Sequence, residues 1–259
     1  MINKVILGTE IFSNKKKFNS KKKISNFLDY SIAFGINKID TAESYGETPH
    51  EIEKLIGQNN FSKNIEIHTK FKIHKSDEEI RKSFFKSLKS LKREYIDLVY
   101  YHSPDNDNFN NTKILDFFLE QKNKSRIKKI GLSYKHDYVK QKNFYQLRHE
   151  NFKYFDSIQT VLNLYSNESQ NFLIPFCRSK NIDIISRVVL AKGLLTEKYK
   201  KIEHLYENNK YDQLSKKIFN FKIKNKISSK KALSFAFKNS DYSVIAFSEK
   251  EQLNILNHV

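Results

Sequence analysis

The chain has 259 residues, of which 39% are hydrophobic, and 47 Lys and Arg against 29 Asp and Glu give it a net charge of +18. This apolar content is enough for a sizeable core, so the composition excludes a chain that is disordered throughout. The single cysteine, Cys177, excludes an internal disulfide and a cysteine-based zinc site, and it indicates a reducing compartment. Neither a signal peptide nor a run of ~18 uncharged apolar residues is present, so we expect a cytoplasmic protein without membrane association.

The positive charge raises the question of a nucleic-acid partner, because a pI near 9.6 is typical of such binders. Only six of the 47 basic residues are arginines, however, and the lysines are scattered through every segment. Arginine is the preferred residue for phosphates and guanine edges. We therefore expect a solvated lysine surface and no nucleic-acid partner, with the lysine runs at 15–17 and 21–23 in solvated turns. Nucleic-acid binding stays open as an alternative.

Strand and helix patterns alternate along the chain. Short β-branched or apolar runs predict eight strands: Val5 to Leu7, Ile36 to Ile39, Ile65 to His68, Ile96 to Tyr101, Ile127 to Leu132, Ser157 to Val161, Ile182 to Val188 and Tyr242 to Phe247. Between most of them lie segments with apolar residues at helical spacing, at 24–32, 52–56, 80–91, 114–118, 172–176 and 233–237. Such alternation demands a parallel sheet with helical crossovers.

The number of these units indicates the architecture. Eight units in 259 residues fit a single α/β domain over residues 1–259, a (β/α)₈ TIM barrel, whose typical size is ~250 residues. The stretch from Thr196 to about Lys226 is basic and rich in tyrosine, and we expect a long irregular loop there. No Gly-x-Gly occurs in the sequence, which excludes a Rossmann fingerprint and a P-loop.

Four polar residues fall where the predicted strands end, the end at which barrels of this type carry their reactive groups. Asp40 and Tyr45 follow the second strand, Lys70 ends the third and His102 ends the fourth. A tyrosine with a pKa of ~10 is a poor proton donor at neutral pH, but a neighbouring ammonium lowers that pKa, and Lys70 could supply the charge. Asp40 could keep Lys70 protonated, and His102 could orient a substrate oxygen. Taken singly, each residue could equally be an ordinary surface group; together they predict an acid–base site.

Six motifs in order resemble the aldo-keto reductase superfamily and span nearly the whole chain. They are D-T-A-E-S-Y-G at 40–46, T-K at 69–70, I-D-L-V-Y-Y-H-S-P at 96–104, I-K-K-I-G-L-S at 127–133, I-Q-T-V-L-N at 158–163 and L-A-K-G-L-L-T-E-K-Y at 190–199. The resemblance implies an oxidoreductase that reduces an aldehyde or ketone to an alcohol with NAD(P)H. It assigns Tyr45 as proton donor in a tetrad with Asp40, Lys70 and His102.

The resemblance also implies where the cofactor binds. Ser133 and Gln159 would hold the nicotinamide carboxamide, and the 190–199 segment would cover the pyrophosphate. The implied cofactor-binding residues are Ser133, Gln159, Arg187, Leu190, Gly193, Leu195 and Lys250. The resemblance implies NADPH. NADH is also possible, because Lys250 is the only Lys or Arg in residues 244–259 that could bind the 2′-phosphate of NADPH. No metal is expected.

The sequence departs from the family pattern at several positions. Tyr134 stands where the family usually has Asn, and Arg187 stands where an aromatic residue often stacks on the nicotinamide. The Arg187 segment is similar to a bacterial branch that includes members associated with sugar and cell-surface polysaccharide genes. Ala246 and Phe247 replace the usual Pro-Gly or small-Gly pair, and the sequence ends at Val259 without the long C-terminal loop of many relatives. Arg187 and the short C-terminal end imply an open, polar pocket for a sugar-derived carbonyl compound. Alternatively, Arg187 only bonds backbone carbonyls at the end of the seventh strand.

One alternative remains within the same fold. The chain could be a catalytically silent barrel that binds the cofactor and acts as a regulatory or partner subunit. A complete Asp, Tyr, Lys and His tetrad argues against this hypothesis, because a binding module does not need all four. The sequence leaves the physiological substrate and the oligomeric state open.

Overall fold

The computed structural model describes residues 1–59, 65–72, 76–104, 112–134, 150–207 and 212–259. Eight parallel strands, paired in chain order, close into a barrel. They are β1 (Val5–Gly8), β2 (Lys38–Asp40), β3 (Glu66–Lys72), β4 (Ile96–His102), β5 (Ile127–Ser133), β6 (Ser157–Val161), β7 (Asp183–Arg187) and β8 (Tyr242–Ile245). The register Ile6↔Val244 between β1 and β8 closes the ring. The predicted (β/α)₈ barrel is confirmed.

Helices connect the strands on the outside of the barrel. They are α1 (Lys21–Ala33), α2 (Glu51–Gly57), α3 (Asp77–Leu91), α4 (Thr112–Asn123), α5 (Leu173–Ser179), α6 (Glu203–Glu207), α7 (Gln213–Lys224) and α8 (Ser229–Asn239). Shorter 3₁₀ helices lie at Ile2–Lys4, Glu10–Ser13, Glu150–Tyr154, Glu168–Gln170, Ala191–Gly193 and Lys250–Asn257. In the described part of the chain, every helix is too short or too polar to cross a membrane.

Helix α3 shows how the local sequence sets these elements. Ser76 caps its first turn by accepting from the Glu79 amide, and the Glu79 side chain accepts from the Ser76 amide in return. This reciprocal pair satisfies two backbone donors that the helix itself cannot satisfy. The helix then buries one apolar face, formed by Ile80, Phe84, Leu88 and Leu91.

The interior of the barrel is filled by side chains rather than left as a channel. Ile6, Leu98, Tyr100 and Ile185 form a buried cluster there. A Cβ at Gly131 would lie 2.7 Å from the Tyr100 ring, so the glycine makes room for the Tyr100 side chain to cross the barrel. The filled interior gives the C-terminal ends of the strands a solid floor.

The expectation of an irregular loop from Thr196 to Lys226 is wrong, because α6 and α7 both lie within it. Asp212 caps α7 by accepting from the Ser215 amide, and the helix buries Ile218 and Phe219. These two side chains pack with Leu195 and Tyr199 in a second apolar core. Lysines on the exposed face of α7 obscure its helical period in the sequence. Residues 208–211 lie outside the described part of the chain.

The two lysine runs differ from the expectation of solvated turns. Lys15 and Lys16 are exposed in a turn, but Lys21 to Lys23 form the first turn of α1. Lys17 is half-buried, and its Nζ donates to Ser248 Oγ over 2.8 Å. Lys17 therefore joins the loop after β1 to the segment that follows β8.

We expect Gly57→Ala to destabilise the protein although alanine is normally the better helix former. An added Cβ would lie 2.2 Å from the carbonyl oxygen of Ser90, at the point where α2 crosses the end of α3. Such overpacking costs about 1–3 kcal/mol. Urea unfolding should show the loss, while Gln58→Ala at the neighbouring exposed position serves as control. Equal stability of the Gly57→Ala variant and the native protein would contradict this account of the α2–α3 contact.

Candidate active site

The predicted site residues lie at the C-terminal ends of neighbouring strands. Asp40, His102 and Arg187 are the last residues of β2, β4 and β7, and Ser133 ends β5. The register places His102 opposite Ser133, and Ser133 opposite Gln159 on β6. The barrel thus gathers residues that are far apart in sequence at one mouth.

Lys70 is the centre of the hydrogen-bond network at this mouth. Its side chain is 2% exposed, and its ammonium donates to Asp40 Oδ1, to the carbonyl oxygen of Thr41 over 2.8 Å and to the hydroxyl of Tyr45 over 3.3 Å. An ammonium has three N–H donors, so these three acceptors satisfy it completely. The structure therefore brings Asp40, Tyr45 and Lys70 together as the sequence predicts.

The other oxygen of Asp40 joins the tetrad to the predicted carboxamide-binding residues. Gln159 Nε2 donates to Asp40 Oδ2 over 2.8 Å, and Ser133 Oγ donates to Gln159 Oε1 over 2.9 Å. All three side chains are buried. A continuous chain of hydrogen bonds thus runs from Ser133 through Gln159, Asp40 and Lys70 to Tyr45, a connection that the sequence motifs do not indicate.

The pKa of Tyr45 differs from the expectation. Burial raises the pKa of the phenol, Asp40 and Glu10 raise it further, and the charge and hydrogen bond of Lys70 lower it. The pKa ends above its ordinary value, so the predicted net lowering by Lys70 is wrong. The physical reason is that desolvation of the phenolate outweighs the attraction of an ammonium whose charge Asp40 already compensates. Tyr45 is therefore a protonated phenol at neutral pH.

Lys70 keeps its charge despite its burial. Burial lowers the pKa of its ammonium, but the charges and hydrogen bonds of Asp40 and Tyr45 raise it by more, so the pKa lies above its ordinary value. This confirms the expectation that Asp40 holds Lys70 protonated. His102 lies at the same mouth, half-buried, and is paired with Lys72 of β3 and Ser133 of β5 in the sheet register.

The departures at Tyr134 and Arg187 are in contact with each other. Arg187 Nη2 donates to the main-chain oxygen of Tyr134 over 2.6 Å. Burial lowers the pKa of the Arg187 guanidinium. The charges of Tyr45, Asp40 and Glu10 raise this pKa, but by less. The structure therefore places a second cation, after Lys70, at the same mouth as Tyr45.

The segment after β7 contains Leu190, Gly193 and Leu195, which the sequence associates with the cofactor. Leu195 is fully buried, and the amides of Gly193 and Leu195 both bond to the carbonyl oxygen of Leu190. Val188 has a φ of 56° and Gly193 a φ of 92°. Positive φ is costly for a β-branched residue such as Val188, so the tight turn at the end of β7 is conformationally strained.

A small group of cations follows the end of the barrel on the side of β8. Burial lowers the pKa of Lys17, the neighbouring charge of Lys198 lowers it further, and Glu249 raises it. Lys17 is bonded to Ser248, and the sequence reasoning missed it because it lies in a lysine run far from that segment. Lys250 lies with its Nζ 4.8 Å from the ring centroid of Tyr30 on α1.

These residues have the chemistry that a nicotinamide cofactor requires. The hydroxyl of Ser133 and the amide of Gln159 can each donate and accept, which suits a primary carboxamide. Lys17 bonds to Ser248, and the like charge of Lys198 acts on it. A bound anionic phosphate would reduce the repulsion between these two ammonium groups. Within the described ranges, no three His, Cys, Asp or Glu side chains are grouped as metal ligands would be.

Comparison with known proteins defines the family. The profile of the Aldo/keto reductase family matches residues 4–257. The chain therefore belongs to this family, whose members are in general NAD(P)H-dependent oxidoreductases that act on carbonyl compounds.

The chain is similar to several individual proteins. One is the uncharacterized oxidoreductase YqkF of Bacillus subtilis, 29% identical over 197 residues, which are 69% of this chain and 59% of that protein, so the chain spans less than two thirds of this curated relative. An aldo-keto reductase from Klebsiella pneumoniae in complex with NADPH has a TM-score of 0.72 at 16% identity, covering 98% of this chain and 85% of that one. A glycerol dehydrogenase from Gluconobacter oxydans has a TM-score of 0.70 at 20% identity, covering 98% and 85%. At these identities the structural similarity shows the fold alone.

We expect Lys70→Met to lower the free energy of unfolding by about 3–5 kcal/mol, because it leaves the buried Asp40 carboxylate without its counter-charge. In the double variant Asp40→Asn/Lys70→Met an uncharged amide also replaces the Asp40 carboxylate. Part of the lost stability should therefore be regained. Urea unfolding of both variants at neutral pH measures the difference. If the double variant were the less stable of the two, the ion pair would not be the reason for the loss.

Proposed function

We propose that this protein reduces an aldehyde or ketone to an alcohol with NAD(P)H. The observation that carries the proposal is the contact of one buried ammonium, Lys70, with both the Asp40 carboxylate and the Tyr45 hydroxyl. A neutral phenol that faces a charged ammonium is suited to give up a proton, because the phenolate that forms is stabilised by the ammonium. A barrel that only binds the cofactor has no need for such a group.

In the proposed reaction, a bound nicotinamide cofactor supplies the hydride to the carbonyl carbon. Tyr45 donates its hydroxyl proton to the carbonyl oxygen, so that the phenol O–H bond breaks as the alcohol O–H bond forms. Lys70 stabilises the resulting phenolate, and Asp40 keeps Lys70 charged. His102 donates a hydrogen bond to the substrate oxygen and orients it, as general acid–base sites require a fixed geometry.

We propose NADPH as the cofactor, with NADH as a weaker substitute. Ser133 and Gln159 would hold the carboxamide, and the strained segment with Leu190, Gly193 and Leu195 would cover the pyrophosphate. Lys250 is the residue that the motif comparison offers for the adenosine phosphate. Lys17, bonded to Ser248, adds a second cation on that side of the site.

We expect Tyr45→Phe to reduce kcat for carbonyl reduction by about 10²–10⁴-fold, the range typical of a lost general acid. The affinity for NADPH should change little, since the phenol is not among the proposed cofactor ligands. Initial rates with a panel of aldehydes and ketones measure kcat, followed at the nicotinamide absorbance with NADPH and with NADH. Fluorescence titration of the cofactor measures its affinity.

Two outcomes would contradict the proposal. If the variant kept more than half of the native kcat, Tyr45 would not be the proton donor. If the native protein bound NADPH but reduced no carbonyl compound of the panel, the alternative of a silent, cofactor-binding regulatory subunit would take its place.

We further propose a polar or anionic substrate, such as a sugar-derived carbonyl compound. Arg187 ends β7 at the same mouth as Tyr45, and the charge of Tyr45 acts on its guanidinium. Most small-molecule sites are lined by apolar groups, and a half-buried guanidinium at this mouth favours substrates that carry hydroxyl or carboxylate groups.

We expect Arg187→Ala to reduce kcat/KM more for 4-carboxybenzaldehyde than for benzaldehyde, by about 10-fold or more, because a polar site rejects a ligand differentially when one partner is removed. The two aldehydes differ only in the carboxylate, so each serves as the control for the other. Equal losses for both would show that Arg187, through its bond to the Tyr134 carbonyl, serves the fold or the cofactor instead.

Two broader features belong to the same proposal. We propose that residues 1–259 act as one domain, and that the protein works in the cytoplasm. Cys177 is a free, buried thiol, and burial raises its pKa to about 12, as in a cysteine without redox function.

A further inference from the structure

A buried polar cluster lies behind the segment that carries Tyr45, and the proposed reaction makes no use of it. Its side chains come from the segment after β2, from α2, from β3 and from α3. Each is at most 8% exposed; they are Glu43, His50, Glu53, Thr69, Ser83 and Ser87. Buried polar groups are costly unless they are paired, so a cluster of this size needs a physical reason.

Glu43, two residues before Tyr45, attaches this segment to the strand that carries Lys70. Its amide donates to the carbonyl oxygen of Lys70 over 3.3 Å, and its carboxylate Oε1 accepts from the amide of Lys72 over 3.3 Å. Glu43 therefore contacts β3 at Lys70 and again at Lys72, two residues further along the strand. This attachment lies close in sequence to Tyr45.

Ser83 and His50 hold the Glu43 carboxylate in place. Ser83 Oγ, on α3, donates to Glu43 Oε2 and lies 3.2 Å from His50 Nε2. The amide of His50 also donates to the carbonyl oxygen of Glu43 over 2.6 Å. Glu43 and His50 bracket Tyr45 in the sequence, so they close the segment into a loop that α3 supports from behind.

The other half of the cluster holds His50 itself. His50 Nδ1 lies 2.6 Å from Glu53 Oε2, and Glu53 Oε1 accepts from Thr69 Oγ1 over 2.6 Å. Ser87 Oγ, one turn after Ser83 on α3, donates to Glu53 Oε2 over 2.8 Å. His50 has a φ of 67°, a conformation that non-glycine residues adopt only when their surroundings impose it.

The order Ser83, His50, Glu53 has the connectivity of a hydrolytic triad, but the site does not support that chemistry. Ser83 is 8% exposed, and its hydroxyl donates to the Glu43 carboxylate rather than facing a cavity. A nucleophile needs access to a substrate, so the cluster acts on the protein itself.

We propose that Glu43, held by Ser83 and His50, is a positioning residue that sets the distance and direction of the Tyr45 hydroxyl relative to Lys70. This inference rests on the proposed function only where it concerns turnover. Fixing a donor within a few tenths of an ångström is what catalytic geometry requires, and supporting contacts behind the reacting group provide it.

Two matched variants test the proposal. Ser83→Ala and Ser87→Ala remove the same hydroxyl from the same face of α3, but only Ser83 contacts Glu43. We expect kcat for carbonyl reduction to fall about tenfold in Ser83→Ala, with NADPH affinity unchanged within twofold. In Ser87→Ala kcat should fall much less, because Ser87 contacts His50 and Glu53 and reaches Glu43 only through them. Both variants should lose thermal stability to a similar extent. Ser83→Thr, which keeps the hydroxyl, should restore most of the lost kcat.

A purely structural cluster predicts a different result, with equal kcat in the two alanine variants despite their lower stability. That result would overturn the proposal. If Ser83→Ala yields no folded protein, Glu43→Gln replaces it in the comparison, since it keeps the side-chain length and weakens the contact to Ser83.

A second measurement does not depend on enzymatic activity. In protein labelled with ¹³C at the tyrosine ring, the resonance assigned to Tyr45 by its absence in Tyr45→Phe should move further in Ser83→Ala than in Ser87→Ala. An unmoved resonance in both variants overturns the positioning role. If the resonance moves while the native protein reduces no carbonyl compound, the positioning role stands and the proposed function fails.

Discussion

The structure of the active site depends on keeping one buried ammonium charged. Lys70 is almost fully enclosed, and a cation in such surroundings loses its proton unless anions and acceptors replace the water. Asp40 supplies the charge, while the Thr41 carbonyl and the Tyr45 hydroxyl complete the coordination. The contact of the Tyr45 hydroxyl with Lys70 and the orientation of Gln159 through Asp40 both follow from this requirement.

The barrel makes this arrangement possible because it supplies a rigid frame. Asp40, Lys70 and Gln159 come from β2, β3 and β6, and hydrogen bonds to neighbouring strands fix each of them. Below them, Tyr100 fills the interior against Gly131, so water is excluded from beneath the ion pair. The low exposure strengthens every charge interaction at the mouth. The same exclusion of water raises the pKa of Tyr45 and so keeps its proton in place.

Local patterns allowed much of the fold to be predicted, and they failed where a longer-range interaction decided the outcome. All eight strands lie where β-branched and apolar runs indicate them, because most strand residues are buried in a parallel barrel. Helix α7 was missed, since its apolar stripe of Ile218 and Phe219 is interrupted by lysines, and its stability comes from packing on Leu195 and Tyr199. The net lowering of the Tyr45 pKa was also wrong, because burial cannot be read from a motif.

The sequence by itself determined the fold class, the family resemblance and the candidate residues Asp40, Tyr45 and Lys70, which the structure brings into contact. Residue type and spacing carry that information, since strand ends of a parallel barrel meet at one mouth whatever the packing details. Only the tertiary structure joined Gln159 to Asp40, bonded Arg187 to the Tyr134 carbonyl and assembled Glu43, His50 and Ser83 into one buried cluster. These contacts connect residues on different elements, and their geometry depends on how helices and strands pack, which no local pattern of residues records.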